Sequence, residues 1–231
     1  MISVIIPAYN EQHALQSLRQ SIGSVSDSEI IVVDGGSSDL SFDIAITFAH
    51  KVLKCERGRG AQMNAGARVS TGDVLLFLHA DSVLPPDWYS LITEAMENPS
   101  NAGGAFDLRL SGDRPAYRLI GRAASLRSRL TRTPLGDQGI FTRKAVFADL
   151  GGYRAIPIME DADFIRRLRA KGRLAFIPHP IKTSPRKWEQ HGILRTTATH
   201  LLVLAGYYLG IPPHALQKLY RAALFKPQFK K

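Results

Sequence analysis

The chain has 231 residues, and its 45% hydrophobic and 22% charged content is that of an ordinary globular protein. A single cysteine, Cys55, excludes an internal disulfide framework and fits a reducing compartment. Residues 1–100 carry 6 Lys/Arg and 12 Asp/Glu, residues 101–181 carry 15 and 7, and residues 182–231 carry 9 and 1. This basic second half favours an anionic partner such as a diphosphate, a nucleic acid or an acidic membrane surface.

The first hundred residues alternate strand and helix patterns. The predicted strands are 3–7, 29–34, 51–55 and 73–79, and the predicted helices are 10–24 and 60–70. Continuous apolar strands separated by helices are typical of a parallel sheet covered on both faces. The sequence therefore predicts an α/β fold with a ligand site at the carboxyl ends of the strands. The apolar N-terminus carries no basic segment or cleavage site, so we expect a cytoplasmic protein.

The pattern changes after Gly103. The predicted elements are a strand at 105–110, a basic amphipathic helix at 114–132, a Gly-rich segment at 136–141, a helix at 164–170 and a strand at 174–177. No Pro/Ser-rich linker or repeat separates the two halves. We therefore expect one mixed domain at residues 1–181, followed by a C-terminal extension at residues 182–231.

The extension contains a mostly apolar stretch of 14 residues, 198–211, which is shorter than the ~20 residues of a membrane-spanning helix. Basic residues flank it: Arg186, Lys187 and Arg195 before, and Lys218, Arg221, Lys226, Lys230 and Lys231 after. An interfacial helix on anionic lipid fits this arrangement. A helix packed on the domain or in a homodimer interface fits it equally well.

Polar side chains follow two of the predicted strands. Asp34 precedes a flexible Gly-Gly turn that would let the backbone approach a ligand. Asp81 could ligate a metal, and His79 leans to the same side of an extended chain. A histidine at a strand end is also a common hydrogen-bonded structural residue. Asp39, after the turn, could equally serve a ligand or the start of the next helix.

Two other segments allow both a structural and a chemical interpretation. Glu160 and Asp161 begin a predicted helix, where acids commonly complement the helix dipole, and spacing alone favours that role. The segment 57–66 opens a helix like a dinucleotide fingerprint, but its glycines are out of register with Gly-x-Gly-x-x-Gly. Arg57 or Arg59 near this helix start remains a candidate phosphate contact.

Four segments together resemble the family 2 glycosyltransferases. They are Val4-Ile-Ile-Pro-Ala-Tyr-Asn-Glu11, Ile31-Val-Val-Asp-Gly-Gly-Ser-Ser-Asp39, Leu76-Phe-Leu-His-Ala-Asp81 and Met159-Glu-Asp161, in the family's order and spacing. The resemblance implies a GT-A fold, which is a single nucleotide-binding α/β domain with a mixed central sheet. It also implies inverting transfer of a sugar from a nucleotide-diphosphate donor to an acceptor hydroxyl.

The resemblance implies roles for single residues as well. Those implied for the nucleotide pocket are Pro7, Tyr9, Glu11, Asp34 and Arg59. Asp81 matches the last Asp of the Asp-x-Asp motif, which binds ribose and metal. Asp161, preceded by Glu160, matches the catalytic base. Asp137 and Gln138 fall where acceptor-side residues usually lie.

This chain departs from the family pattern at two points. His79 replaces the first Asp of Asp-x-Asp, so a divalent metal is expected but the choice between Mn²⁺ and Mg²⁺ stays open. The processive signature Gln-x-x-Arg-Trp is absent around Trp188, which predicts transfer of one sugar and no polymerisation. A further resemblance, to small bacterial members with a similar short tail, implies a lipid-like or small-molecule acceptor. The alternative is a non-catalytic module that binds a nucleotide sugar or lipid phosphate. No segment of the sequence resembles a helix that reads bases in a nucleic-acid groove, so a nucleic-acid binder is not favoured.

Overall fold

Eight strands form one sheet at the centre of the computed structural model, which describes residues 1–23 and 25–225. The strands are β1 Ile2–Ala8, β2 Ser28–Asp34, β3 Lys51–Lys54, β4 Val74–Phe77, β5 Ser82–Val83, β6 Asn101–Leu110, β7 Ile140–Arg143 and β8 Arg173–Thr183. Their order is β3-β2-β1-β4-β7-β6-β8-β5. β1 to β4 run parallel, β7 is antiparallel to both of its neighbours, and β5 is antiparallel to β8. The predicted mixed α/β fold is confirmed.

Helices cover both faces of this sheet. They are α1 Gln12–Ser21, α2 Ser41–Ile46, α3 Arg59–Val69, α4 Trp88–Glu97, α5 Pro115–Thr131, α6 Lys144–Asp149, α7 Glu160–Leu168, α8 Arg186–His191, α9 Ile193–Tyr208 and α10 Pro213–Leu224. Neighbouring side chains of a strand point to opposite faces. Val4 and Ile6 therefore join the core under α1 and α4, whereas Ile5 joins the core under α3 and α7.

The predicted elements are confirmed, with shifts at their ends. β6 begins at Asn101, four residues before the predicted start, and α7 begins at Glu160, where the acid pair was expected to open a helix. The apolar helix is α9 at Ile193–Tyr208. No bounds were predicted for helices α2, α4 and α10. Five short elements were also not predicted: β5, β7, α6, α8 and the 3₁₀ turn Gly136–Gln138. These five span two to six residues, too few for a hydrophobic period to show. Position 24, the predicted end of the first helix, lies outside the described residues.

The C-terminal helices pack on the rest of the chain. Val203 of α9 and Leu216 of α10 share a buried cluster with Met159 and Ala162 at the start of α7. β8 also runs through the expected domain boundary at 181, which stays a prediction. Lys226, Lys230 and Lys231 of the predicted basic flank lie outside the described residues. Within the described residues, no helix combines the length and apolarity needed to cross a membrane.

A buried glutamate ties the parallel strands together. Glu29 on β2 accepts hydrogen bonds from Ser3 Oγ of β1 at 2.6 Å and Lys51 Nζ of β3 at 2.8 Å. The backbone N–H and the hydroxyl of Thr71, before β4, also donate to it. These donors, led by Lys51, outweigh the opposing effect of burial and lower the pKa of Glu29 to about 2.

Candidate active site

The loops after β1 and β2 are held together by hydrogen bonds. Asn10, with a φ of 52°, accepts from the Ser38 N–H at 2.9 Å and donates its own N–H to Ser37 Oγ at 2.9 Å. Asp34 is 1% exposed and accepts from the N–H groups of Gly36 and Ser37, each at 3.0 Å, and from the Ser37 hydroxyl. The Asp34 carboxylate therefore stabilises the turn that follows it, so that a preformed loop lies at this edge of the sheet.

Asp39 serves the starts of two helices. Its carboxylate accepts from the N–H of Gln12 at 3.2 Å, where α1 begins, and from the N–H of Ser41 at 3.0 Å, where α2 begins. Of the two interpretations open for Asp39, these bonds support the structural one.

The glycines of the segment 57–66 serve packing. A Cβ on Gly66 would lie 2.5 Å from Ile5 Cγ2, and one on Gly60 would lie 3.0 Å from Arg154 O. The lack of a side chain at Gly66 therefore lets helix α3 approach β1 closely, and the lack of one at Gly60 lets it approach the backbone of Arg154. This accounts for the incomplete dinucleotide pattern without a dinucleotide.

Two arginines meet the polar residues after β1. The guanidinium of Arg57 lies over the Tyr9 ring, 3.9 Å from its centroid. Arg186 of α8 donates to both oxygens of Glu11, at 2.9 and 3.2 Å. Pro7, near the end of β1, is half-buried beside them. The nucleotide-pocket residues predicted on β1 thus lie at the same sheet edge as Asp34, which pairs in register with Ala8.

Asp161 lies at the start of α7, held by two backbone donors. Its Oδ1 accepts from the Ala162 N–H at 2.7 Å, and its Oδ2 accepts from the Gly136 N–H at 2.7 Å. Met159, with a φ of 65°, turns the chain into the helix just before it. The second donor comes from a loop 25 residues away, so the carboxylate is oriented by tertiary structure as well as by its own helix.

His79 faces the same loop. A Cβ on Gly136 would lie 3.0 Å from His79 Nε2 and 3.3 Å from Asp161 Oδ2, so the glycine lets the three groups come together. Burial, followed by the positive charges of Arg59 and Lys187, lowers the pKa of His79 well below its ordinary value. The imidazole is therefore neutral near pH 7 and keeps a lone pair available.

Three carboxyl groups are balanced by three cations at this centre. Glu160 is buried with Arg59 Nη1 3.8 Å from its Oε1, and burial and the adjacent Asp161 raise its pKa. Burial and Asp161 also raise the pKa of Asp137 to about 6, against the opposing charges of Arg127 and Lys187. Arg59 thus lies beside the Glu160-Asp161 pair.

Gln138 faces inward, unlike its neighbour Asp137. It is 0% exposed, its Nε2 donates to Phe106 O at 3.0 Å, and its Oε1 accepts from Ser128 Oγ at 2.5 Å. Both the oxygen and the nitrogen of the amide thus fix the Gly136–Gln138 turn against β6 and α5. Gln138 therefore supports the loop, whereas Asp137 borders the carboxylate cluster.

Asp81 borders open space. Its one side-chain hydrogen bond to a described residue is a long one, from Thr183 Oγ1 at 3.5 Å. A cavity of about 440 Å³ opens beside it, lined also by residues of α1 and by Arg186. Among the described residues no three His, Cys, Asp or Glu side chains form a closed metal site. The carboxylate of Asp81 and the neutral imidazole of His79 lie on one turn. Both groups are suitable ligands for a divalent cation whose coordination shell would be completed by oxygen atoms of the substrate.

Three basic residues of the candidate site were not predicted from the sequence. Lys187 was part of a basic flank, yet its charge acts on His79, Asp137 and Glu160. Arg186 reaches Glu11, and Arg127 of α5 lies within electrostatic reach of Asp137 and Asp161. Their basic character is visible in the sequence, but only the fold brings α5 and α8 to the strand ends.

Comparison with known sequences identifies one family and several relatives. The family described as Glycosyl transferase family 2 matches residues 3–150. A PGL/p-HBAD biosynthesis glycosyltransferase of Mycobacterium bovis is 31% identical over 178 residues, which are 71% of this chain and 68% of the relative. Two uncharacterized glycosyltransferases, from Nostoc sp. and Haemophilus influenzae, are 33% and 26% identical over 44% and 78% of this chain. The chain spans 34% and 65% of their respective lengths.

Comparison with solved structures shows the fold. Residues 1–349 of S. aureus TarS in complex with UDP-GlcNAc align with a TM-score of 0.66 at 17% identity, over 87% of this chain and 66% of that chain. The mannosyltransferase PcManGT of Pyrobaculum calidifontis, in complex with GDP-Man and Mn²⁺, aligns with a TM-score of 0.63 at 18% identity, over 97% and 69%. The expected GT-A fold is thereby confirmed.

Proposed function

Because this chain belongs to the family 2 glycosyltransferases, we propose that it moves one sugar from a nucleoside-diphosphate donor to an acceptor hydroxyl with inversion at the anomeric carbon. The observation that carries this proposal is the anchoring of Asp161. Its two oxygens accept backbone N–H groups from two separate elements, next to His79 and a cluster of cations. A carboxylate oriented in this way is suited to take a proton from an incoming hydroxyl.

The donor nucleotide occupies the edge formed by β1 and β2. Pro7, Tyr9 and Glu11 line it, and Asp34 supports the turn that meets the base and ribose. The cavity beside Asp81 and the absence of a strong partner for that carboxylate among the described residues support a place for ribose and metal. Mn²⁺ or Mg²⁺ held by Asp81 and His79 would neutralise charge on the diphosphate.

The protein supplies cations of its own for the leaving diphosphate. Arg59 lies at the start of α3, where backbone N–H groups also favour anions. Lys187 and Arg186 extend from α8 toward the same centre. As the acceptor oxygen bonds to the anomeric carbon, the bond from that carbon to the diphosphate breaks. Asp161 receives the hydroxyl proton, and these three cations stabilise the nucleoside diphosphate that departs.

The acceptor reaches Asp161 from the side of Asp137. Arg127 and Tyr208 border this approach, together with exposed leucines of α5 and α9, which supports an amphiphilic acceptor. Gln138 acts here by positioning the turn that carries Asp137. Glu160 acts by holding Arg59 beside the catalytic centre. We place this reaction in the cytoplasm, at the inner face of a membrane.

Replacement of the proposed base separates binding from chemistry. Asp161→Asn keeps the size of the side chain but cannot accept the proton, so we expect transfer to fall by about 10²-fold to 10⁴-fold with little change in donor affinity. The donor is first identified from a panel of nucleotide sugars by thermal shift with Mn²⁺ or Mg²⁺, because ligand binding raises the melting temperature. Transfer is then measured with that donor, and chelation of the metal is expected to reduce both readouts.

The matched control is Asp87→Asn, an exposed aspartate before α4. Near wild-type transfer by Asp161→Asn would contradict the assignment of the base. Donor binding with neither transfer nor hydrolysis across a broad acceptor panel would favour the alternative, a non-catalytic nucleotide-sugar module.

A further inference from the structure

Helix α5 has an unusual distribution of side chains. Its buried positions include the small residues Gly121, Ser125 and Ser128, whereas Leu119, Leu126 and Leu130 are 69%, 58% and 76% exposed. The leucines are seven and four residues apart, so they lie in one stripe along the helix. A surface helix of a globular protein ordinarily buries its apolar stripe and exposes its polar one. The outward stripe of α5 therefore lacks a covering partner among the described residues.

Helix α9 also exposes an apolar stripe. Leu194, Leu201 and Tyr208 repeat at intervals of seven, and all three are exposed, with Leu194 at 85%. The two helices are joined at their N-terminal ends, because Tyr117 and Ile120 of α5 pack with Trp188 and Ile193. We call α5 and α9 with their exposed leucines the two-helix face. Isolated exposed leucines are common on proteins, but exposed apolar stripes on two helices that share a buried cluster indicate an interaction surface.

The charges on this face select its partner. Neither α5 nor α9 contains an Asp or Glu, while exposed arginines flank the leucines at positions 118, 122 and 195. A symmetric dimer through this face would set arginines against the same arginines of a second copy, which is unfavourable. A nucleic acid would pair with the arginines but leave the leucines in water. An anionic lipid surface satisfies both, since arginines meet headgroups and leucines enter the acyl boundary.

We propose that the two-helix face docks this enzyme on an anionic lipid bilayer. The proposal rests on the proposed function and extends it to the acceptor. Helix α5 is relevant to that reaction because its Arg127 lies near the catalytic centre. Docking through α5 sets the approach between Arg127 and Tyr208 beside the bilayer. An amphiphilic acceptor can then present its hydroxyl to Asp161 while its apolar part stays in the membrane. The surface thus includes α5 as well as the C-terminal extension.

Vesicle flotation of the full chain tests the face. Wild type is expected to float with vesicles of phosphatidylcholine and phosphatidylglycerol and to stay behind with phosphatidylcholine alone. The variant Leu119→Ser/Leu126→Ser/Leu130→Ser is expected to bind at least about 10-fold more weakly, because it loses apolar area. The variant Arg118→Gln/Arg122→Gln is expected to lose roughly 30-fold, at about 5-fold for each arginine. Leu40→Ser/Ile46→Ser, which changes exposed apolar residues away from this face, is the matched control and keeps wild-type flotation.

Three outcomes overturn the proposal. The first is flotation of the α5 variants at the wild-type level, and the second is equal binding of wild type to neutral and anionic vesicles. The third is a wild-type dimer in analytical ultracentrifugation that the leucine variant converts to a monomer, since a second copy would then cover the face. All changed side chains are exposed, and thermal unfolding checks that each variant folds. Flotation needs no donor, so a wild type that floats but transfers no sugar overturns the proposed function alone.

Discussion

At the scale of the residue, the site depends on which carboxyl groups have protein partners. Asp34 and Asp39 accept several hydrogen bonds from the loops around them, whereas Asp81 has one long contact within the described part of the chain. Asp161 lies between these cases, since each of its oxygens accepts a single backbone N–H. The sequence predicted Asp34 and Asp81 at the ends of strands and Asp161 at the start of a helix. The donors to Asp39 from Gln12 and to Asp161 from Gly136 could not be predicted, because they come from loops distant in the chain.

Asp137 predicts a specific dependence of stability on pH. Its pKa is raised from 3.8 to about 6, so the folded protein holds a proton that the unfolded chain releases over this range. The contribution of Asp137 is therefore present below about pH 4 and lost as pH rises through 6. Asp137→Asn removes this loss, so the variant should gain up to about 2 to 3 kcal/mol relative to wild type between pH 4 and 7, or several degrees in Tm.

Thermal unfolding across this pH range measures the effect. Asp87→Asn, an exposed aspartate, should show a constant difference from wild type. A constant difference for Asp137→Asn would contradict the raised pKa.

At the scale of the element, the parallel strands depend on a buried charge as well as on apolar packing. β2 is buried along its whole length, so its sequence lacks an alternation of apolar and polar residues. The continuous apolar run correctly predicted this strand. The ion pair between Glu29 and Lys51 crosses from β2 to β3, and the hydrogen bond from Ser3 crosses to β1. The sequence shows Glu29 only as the residue before an apolar run, so its role as a link between strands required the register.

Glu29→Gln should destabilise the sheet in a pH-dependent way. The pKa of Glu29 is lowered from 4.5 to about 2, so its stabilisation is complete above about pH 4.5 and is lost as pH falls toward 2. At pH 7 the variant should lose about 1 to 3 kcal/mol of unfolding free energy, because buried donors lose a charged acceptor. Urea unfolding at pH 7 and pH 3 should show the difference shrinking at the lower pH.

The exposed residue Glu94 provides the comparison for this experiment. Glu94→Gln should be neutral within about 0.5 kcal/mol at both pH values. A loss by Glu29→Gln that is equal at pH 7 and pH 3 would mean that the charge on Glu29 contributes nothing.

At the scale of the whole molecule, the acidic first part of the chain and its basic remainder meet at the candidate site. Residues 1–100 supply Glu11 and Asp81, and the last fifty residues supply Arg186 and Lys187. The charge asymmetry in the sequence predicted an anionic partner. It could not predict that part of the basic charge turns inward, because that depends on how α8 follows β8.

Arg186→Gln is predicted to affect donor use more than stability. The pair with Glu11 is partly exposed, so its loss should cost at most about 1 kcal/mol of unfolding free energy. If Arg186 also faces the donor diphosphate, as proposed, loss of its charge should lower kcat/KM for the donor about 10-fold. Steady-state kinetics and thermal unfolding of the same variant separate the two effects.

Arg173→Gln, at an exposed position where β8 begins, should leave both measurements unchanged. If Arg186→Gln lowered the Tm strongly and left kcat/KM intact, the arginine would be a structural tie and would have no part in the donor site.

The bond between Glu11 and Arg186 joins residues 175 positions apart, although the family match itself ends at residue 150. One rim of the candidate site therefore lies in the part of the chain outside that match. A graft that exchanged the chain after β8 for that of a relative would also exchange cations of the proposed donor site. In a recombinant or chimeric protein, the site therefore stays intact only if the segments before and after the end of β8 come from the same parent.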